Sequence, residues 1–120
     1  MCAIPPPGQR ATRSNAAALR RELIERGSIF QSSSDSECII HLMARSLQRD
    51  IPERMKDALR RVEGAFSVVA MTRTKLIGVR DPLGVRPLVL GKVADGWALS
   101  SETCALDIIG AKFVRDVENG

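Results

Sequence analysis

Apolar positions in the first half of the chain recur at helical spacing. Ala16, Leu19, Leu23 and Ile24 predict a helix capped by Ser14 or Asn15 and stopped at Gly27. A short apolar link, Ser28-Ile29-Phe30-Gln31, follows. Ser34-Asp35-Ser36-Glu37 has the form of a capping box, and the helix it opens sets Ile39, Leu42, Met43 and Leu47 on one face. A third helix begins at Asp50-Ile51-Pro52-Glu53, with proline in its first turn. Its apolar residues Met55, Ala58, Leu59 and Val62 keep the same period until Gly64 ends it.

The period then changes. Ala65 to Met71 is a strand, and Leu76 to Arg80 is a second after the polar turn at residues 72–75. Asp81-Pro82-Leu83-Gly84 is a turn by composition. Pro87 to Val93 and Trp97 to Ser100 are two more strands, joined through Asp95-Gly96. A short helix over Glu102–Ile109 ends at Gly110, and Phe113–Val117 is a fifth strand. Short loops favour antiparallel neighbours. Helices first and a strand meander after them predict an α+β fold. Residues 1–14 differ from the rest: three consecutive prolines, a glycine and no acid make an extended or disordered lead-in.

Composition narrows the function classes. The chain has 120 residues, one domain's worth, and no apolar run approaches the ~18 residues of a membrane helix. No secretory signal is visible, so a cytoplasmic protein is expected, with no membrane partner. The net charge is +4, but the 18 basic residues are mostly interleaved with the 14 acidic ones. With four aromatics and no basic–aromatic stripe, no nucleic-acid partner is expected. The cysteines Cys2, Cys38 and Cys104 are widely spaced and His41 is the sole histidine, which argues against disulfides and against a metal site. Cys38 and Cys104 are expected to be small buried residues, and His41 a surface or packed one. Arg80, Asp81 and Arg86 read as a salt-bridged turn, and Glu102 as a helix-start carboxylate.

Four blocks carry a resemblance: NAAALRRELIERGSIFQSSSDSECIIHLMARS, DALRRVEGAFSVV, GVRDPLGVRPLVLGK and ALSSETCALDIIGAKFVRDVENG, in that order between Asn15 and Gly120. In them the chain resembles the class II glutamine amidotransferase domain of the amidophosphoribosyltransferase family. The RDPLG block also resembles other class II amidotransferases such as asparagine synthetase, which stay an alternative. The resemblance implies an N-terminal-nucleophile hydrolase fold: here a partial αββα sandwich over residues 15–120, mainly its helices plus an antiparallel strand meander. It also implies a parent reaction, formation of 5-phosphoribosylamine from glutamine and phosphoribosyl pyrophosphate in purine biosynthesis. In that family an N-terminal cysteine thiolate attacks the glutamine amide and releases ammonia to a separate transferase domain. Asp35 matches the aspartate that receives the glutamine α-amino group. No cofactor is implied for these residues; the family's magnesium accompanies phosphoribosyl pyrophosphate in the transferase domain.

Departures from the family pattern set the remaining expectations. The Cys-Gly-Val-Phe-Gly strand and the His-x-Arg segment do not occur, and Gln9 to Arg13 stand where the family has the His-Asn-Gly-Asn-Leu oxyanion segment. Losing one oxyanion donor costs ~10²–10³ in rate. Cys2 would gain a free amine if Met1 were removed, but Ala3-Ile4-Pro5-Pro6-Pro7 cannot pair in a sheet, so no catalytic residue is assigned. Three readings follow: a truncated or mis-started amidotransferase that is catalytically incompetent, a glutamine-binding or interaction pseudo-enzyme, or a glutaminase working through Cys2. Phe66, Val68, Val79, Leu88 and Leu90 are expected to face water for want of partner strands. Weak binding of glutamine and a complementary chain or self-association through the exposed sheet are the expected partnerships.

Overall fold

The computed structural model describes residues 14–120. The lead-in apart from Ser14, and Cys2 with it, lies outside the described residues. The elements are α1 (Ala16–Glu25), α2 (Ser36–Arg45), α3 (Ile51–Leu59), β1 (Ser67–Met71), β2 (Leu76–Arg80), β3 (Val89–Val93), β4 (Gly96–Ser100), α4 (Thr103–Ile108) and β5 (Lys112–Asp116). The chain divides into two compact units, residues 1–64 and 65–120.

The first unit is helical. Leu19 and Leu23 of α1, Cys38, Ile39 and Leu42 of α2, and Met55, Ala58 and Leu59 of α3 are its buried apolar residues. Helix α2 packs against both α1 and α3. Asn15 stands at the N-cap of α1, yet its side chain does not cap the helix. Instead it accepts from the Glu63 amide at 2.9 Å and donates to the Arg61 carbonyl at 2.8 Å, tying the start of α1 to the chain after α3. Ser14 Oγ takes the Ala16 amide. Arg61 adds contacts of 2.8 and 2.7 Å to the two Glu22 oxygens. Leu47 departs from expectation: α2 ends at Arg45, Ser46 is extended, and Leu47 is 98% exposed. Ser46 is held there because its hydroxyl donates to Asp57 of α3 at 2.6 Å.

The second unit holds two antiparallel sheets, β1-β2 and β4-β3-β5. Along β3 the side chains alternate: Val89 and Val93 lie on the face that carries Leu106 of α4, together with Ala98 and Ala111. Gly91 permits this packing, because a Cβ there would meet Leu106 atoms at 2.8 and 2.9 Å. Leu99, on the opposite face, crowds Gly78 of β2, where a Cβ would lie 2.6 Å from its methyl. Of the residues expected to face water, Leu88 is buried, and Phe66, Val68, Val79 and Leu90 are half-buried. Gly78 lets β2 approach Leu88 and Leu99, and this contact covers Leu88. The exposed apolar residues of the hairpin are instead Val69, Met71 and Leu76. No helix among the described residues is long and apolar enough to cross a membrane.

Candidate functional site

Asp35 lies between α1 and α2, in a connection that side chains of both helices tie down. It occupies the N-cap of α2 with φ −64° and ψ −29°, and its side chain makes no capping bond. Asp35 is therefore an N-cap residue by position only. A capping side chain reaches the first helical amides from an extended backbone; here the backbone is already helical, and the Glu37 and Cys38 amides are taken by the Ser34 and Asp35 carbonyls. Asp35 is thus an exposed carboxylate without a capping partner.

The capping box does not form either. Glu37 reaches past Ser34: its Oε1 accepts the Gln31 amide at 2.7 Å, and its Oε2 accepts the Ser32 amide at 2.8 Å and the Ser32 hydroxyl at 2.6 Å. The Ser34 amide, which a capping glutamate would satisfy, donates to Ser32 Oγ. Arg20 of α1 donates to the Ser32 carbonyl and stands 4.2 Å over the Phe30 ring. Phe30 in turn packs 4.5 Å from His41, whose Nε2 is 3.6 Å from Glu37 Oε1. His41 is therefore a packed residue, as expected.

These donors favour the ionised form of Glu37. The Ser32 hydroxyl contributes most, then the Gln31 amide, and the carboxyl is held down at about 2. A depressed carboxylate contributes its stability above its unfolded value near 4.5, and loses it as pH falls toward the folded value. We expect the Glu37 side-chain carboxyl to titrate near 2, with the Gln31 and Ser32 amides losing exchange protection between about pH 4.5 and 2. A carbon-detected NMR titration measures both; a Glu37 midpoint at the ordinary value would contradict the network.

The thiols are poorly suited to nucleophilic work. Burial raises the Cys38 thiol above its ordinary value. Cys104 was expected to be buried but is exposed. Its thiol donates to Glu102 at 3.2 Å, and that hydrogen bond raises it as well. Glu102 thus serves this thiol, and its side chain does not cap α4. No group of three or more His, Cys, Asp or Glu residues among those described could hold a metal ion.

The turn after β2 is built differently from the salt-bridged turn its composition suggests. Arg80 donates to three backbone carbonyls: Arg86 at 2.9 Å, Val117 at 2.9 Å and Gly84 at 2.8 Å. Asp81 is fully buried, and its Oδ2 accepts the Leu83 amide at 3.1 Å and the Val85 amide at 3.4 Å. Buried backbone groups in a tight turn need partners, and the two side chains meet that need instead of each other's charge. Arg86 is exposed. Sequence reasoning missed the Glu37 network; the polar run Gln31 to Ser36 ahead of it was the available signal.

Residues 12–107 match a family described as a glutamine amidotransferase domain. Among curated proteins the chain is 56% identical over 107 residues to amidophosphoribosyltransferase of Rhizobium etli, covering 89% of this chain and 22% of that protein. It is 48% identical over 107 residues to amidophosphoribosyltransferase of Staphylococcus aureus, covering 88% and 22%. The chain thus spans about a fifth of the length of these relatives. The fold matches the glutamine phosphoribosylpyrophosphate amidotransferase of B. subtilis complexed with ADP and GMP at a TM-score of 0.85 and 42% identity, over 88% of this chain and 23% of that one. A structure described as the allosteric regulatory enzyme of purine biosynthesis gives the same values. With the α+β arrangement reproduced at that level and the family pattern running through both units, this chain belongs to the glutamine amidotransferase domain family.

Proposed function

We propose that the chain serves a glutamine-hydrolysing domain of an amidophosphoribosyltransferase, and that Asp35 receives the α-ammonium group of glutamine. The reaction is glutamine-dependent amination of phosphoribosyl pyrophosphate to 5-phosphoribosylamine, in the cytoplasm. The observation that supports it most is the agreement of fold and sequence with such enzymes across 88% of the chain. The chemistry of the site fits: an exposed carboxylate, without a capping partner, stands where a connection is held by hydrogen bonds to its own backbone. An ammonium group is its natural complement. The sequence ahead of Ser14 carries Gln9 to Arg13 in place of the oxyanion segment, so we propose that the 120 residues alone bind glutamine weakly and do not turn it over.

Two measurements on the purified chain test this. Ammonia release from glutamine is expected to equal the protein-free blank, and turnover that Cys2→Ala abolishes would overturn the inactive reading. Glutamine added to labelled protein is expected to shift the amides of residues 32–36, and Asp35→Ala to remove those shifts. Shifts elsewhere, or shifts that Asp35→Ala leaves intact, would overturn the assignment of Asp35.

A further inference from the structure

We infer that Glu37 is a positioning residue for Asp35, its carboxylate closing the 31–37 segment into a fixed loop that sets the Asp35 carboxylate for an ammonium ligand. This rests on the function proposed above. Asp35 has no capping bond to hold it, so its place depends on the backbone around it. That backbone is closed by Glu37, two residues further on, whose two oxygens take the Gln31 amide, the Ser32 amide and the Ser32 hydroxyl. From the other side Arg20 holds the Ser32 carbonyl and stacks on Phe30. The result is a ring of chain from Gln31 to Glu37 with Asp35 on it.

Glu37 is not itself suited to touch the ligand. A carboxylate offers about four acceptor positions; three are occupied by Gln31 and Ser32 donors, and His41 Nε2 stands 3.6 Å from Oε1. Its contribution passes through the loop. An exposed carboxylate on a mobile loop holds an ammonium weakly, whereas one on a loop ordered beforehand loses less freedom on binding.

The test uses the full chain, with glutamine titrated against the wild type, Asp35→Ala, Glu37→Gln and the double variant. Glu37→Gln keeps the side-chain length but turns a donor toward a backbone N–H. It is expected to weaken glutamine binding about tenfold and to speed exchange of the Gln31 and Ser32 amides. The double variant is expected to bind no more weakly than Asp35→Ala, because the two residues act through one contact. 4-Carbamoylbutyrate, which lacks the α-amine, is expected to bind equally to wild type and Glu37→Gln. Additive losses, or an equal loss for 4-carbamoylbutyrate, would make Glu37 a general structural residue and overturn the inference. Binding that depends on Asp35 but survives Glu37→Gln overturns the inference alone. No glutamine binding by the wild type, or none that depends on Asp35, overturns the proposed function and the inference with it. Should Glu37→Gln fail to fold, Ser32→Ala removes one of the same bonds, and a two- to threefold weaker affinity for glutamine alone is expected; unchanged affinity there counts against the inference.

Discussion

Arg80→Met is expected to destabilise the 65–120 unit by about 3 kcal/mol, placing it among the most damaging single substitutions of a charged residue in this chain. The guanidinium holds three carbonyls, from Gly84 and Arg86 in the turn and from Val117 after β5. Each is a hydrogen bond to a charged donor, and two of the three are part-buried, so their loss leaves acceptors without water. Methionine keeps the apolar stem and removes the donors. The damage is not confined to the turn. The Arg80 side chain reaches Val117 beside two backbone ties on the same segment, the Val117 amide to the Leu88 carbonyl at 2.9 Å and a β-bridge between Arg80 and Asn119, so its loss loosens the last residues without freeing them. Denaturant unfolding followed by Trp97 fluorescence measures the change. A loss below about 1 kcal/mol would mean that water replaces the guanidinium at all three carbonyls.

Leu106→Ala is expected to cost about 2–5 kcal/mol. Leu106 is 1% exposed and is the helix's contribution to a small core with Val89 and Ala111. Few large side chains surround it: the sheet below offers Gly91 of β3 and Ala98 of β4, which cannot swing in to fill a void. The site should therefore relax little, and the upper half of the range applies. Thermal unfolding of the variant checks it; a cost under about 1 kcal/mol would show that α4 settles onto the sheet and closes the cavity.

Much of the architecture was legible because apolar spacing changes period at Ala65, where packing changes from helix stripes to alternating strands. Each helix and strand among the described residues overlaps the stretch that pattern assigns to it, although α2 and α3 end early, at Arg45 and Leu59. What was not legible depends on partners distant in sequence. Ser34 and Glu37 have the capping-box spacing, but the chain before them folds back and offers Glu37 two amides and a hydroxyl, which outcompete a single amide. Leu47 continues the helical stripe of α2 in sequence; the Ser46–Asp57 bond ends the helix first. Arg80 and Asp81 looked like a pair because the carbonyls that claim Arg80 include one 37 residues away. Asp35 as a ligand-binding position rests on family resemblance alone, and no spacing in the sequence shows that its side chain lacks a capping bond.

The hairpin between β3 and β4 turns through Ala94, which adopts φ +35°, a left-handed conformation that an L side chain holds at a cost of about 1 kcal/mol or more. Asn or Gly takes that conformation with less strain. Sequence drift at position 94 therefore runs uphill in robustness for a single codon's change of residue type, in a turn whose side chain is exposed. A lineage carrying such a replacement could tolerate a second, mildly harmful substitution in the neighbouring sheet that the present chain could not. The variability permitted in this half of the protein is accordingly set in part by one alanine at a hairpin tip.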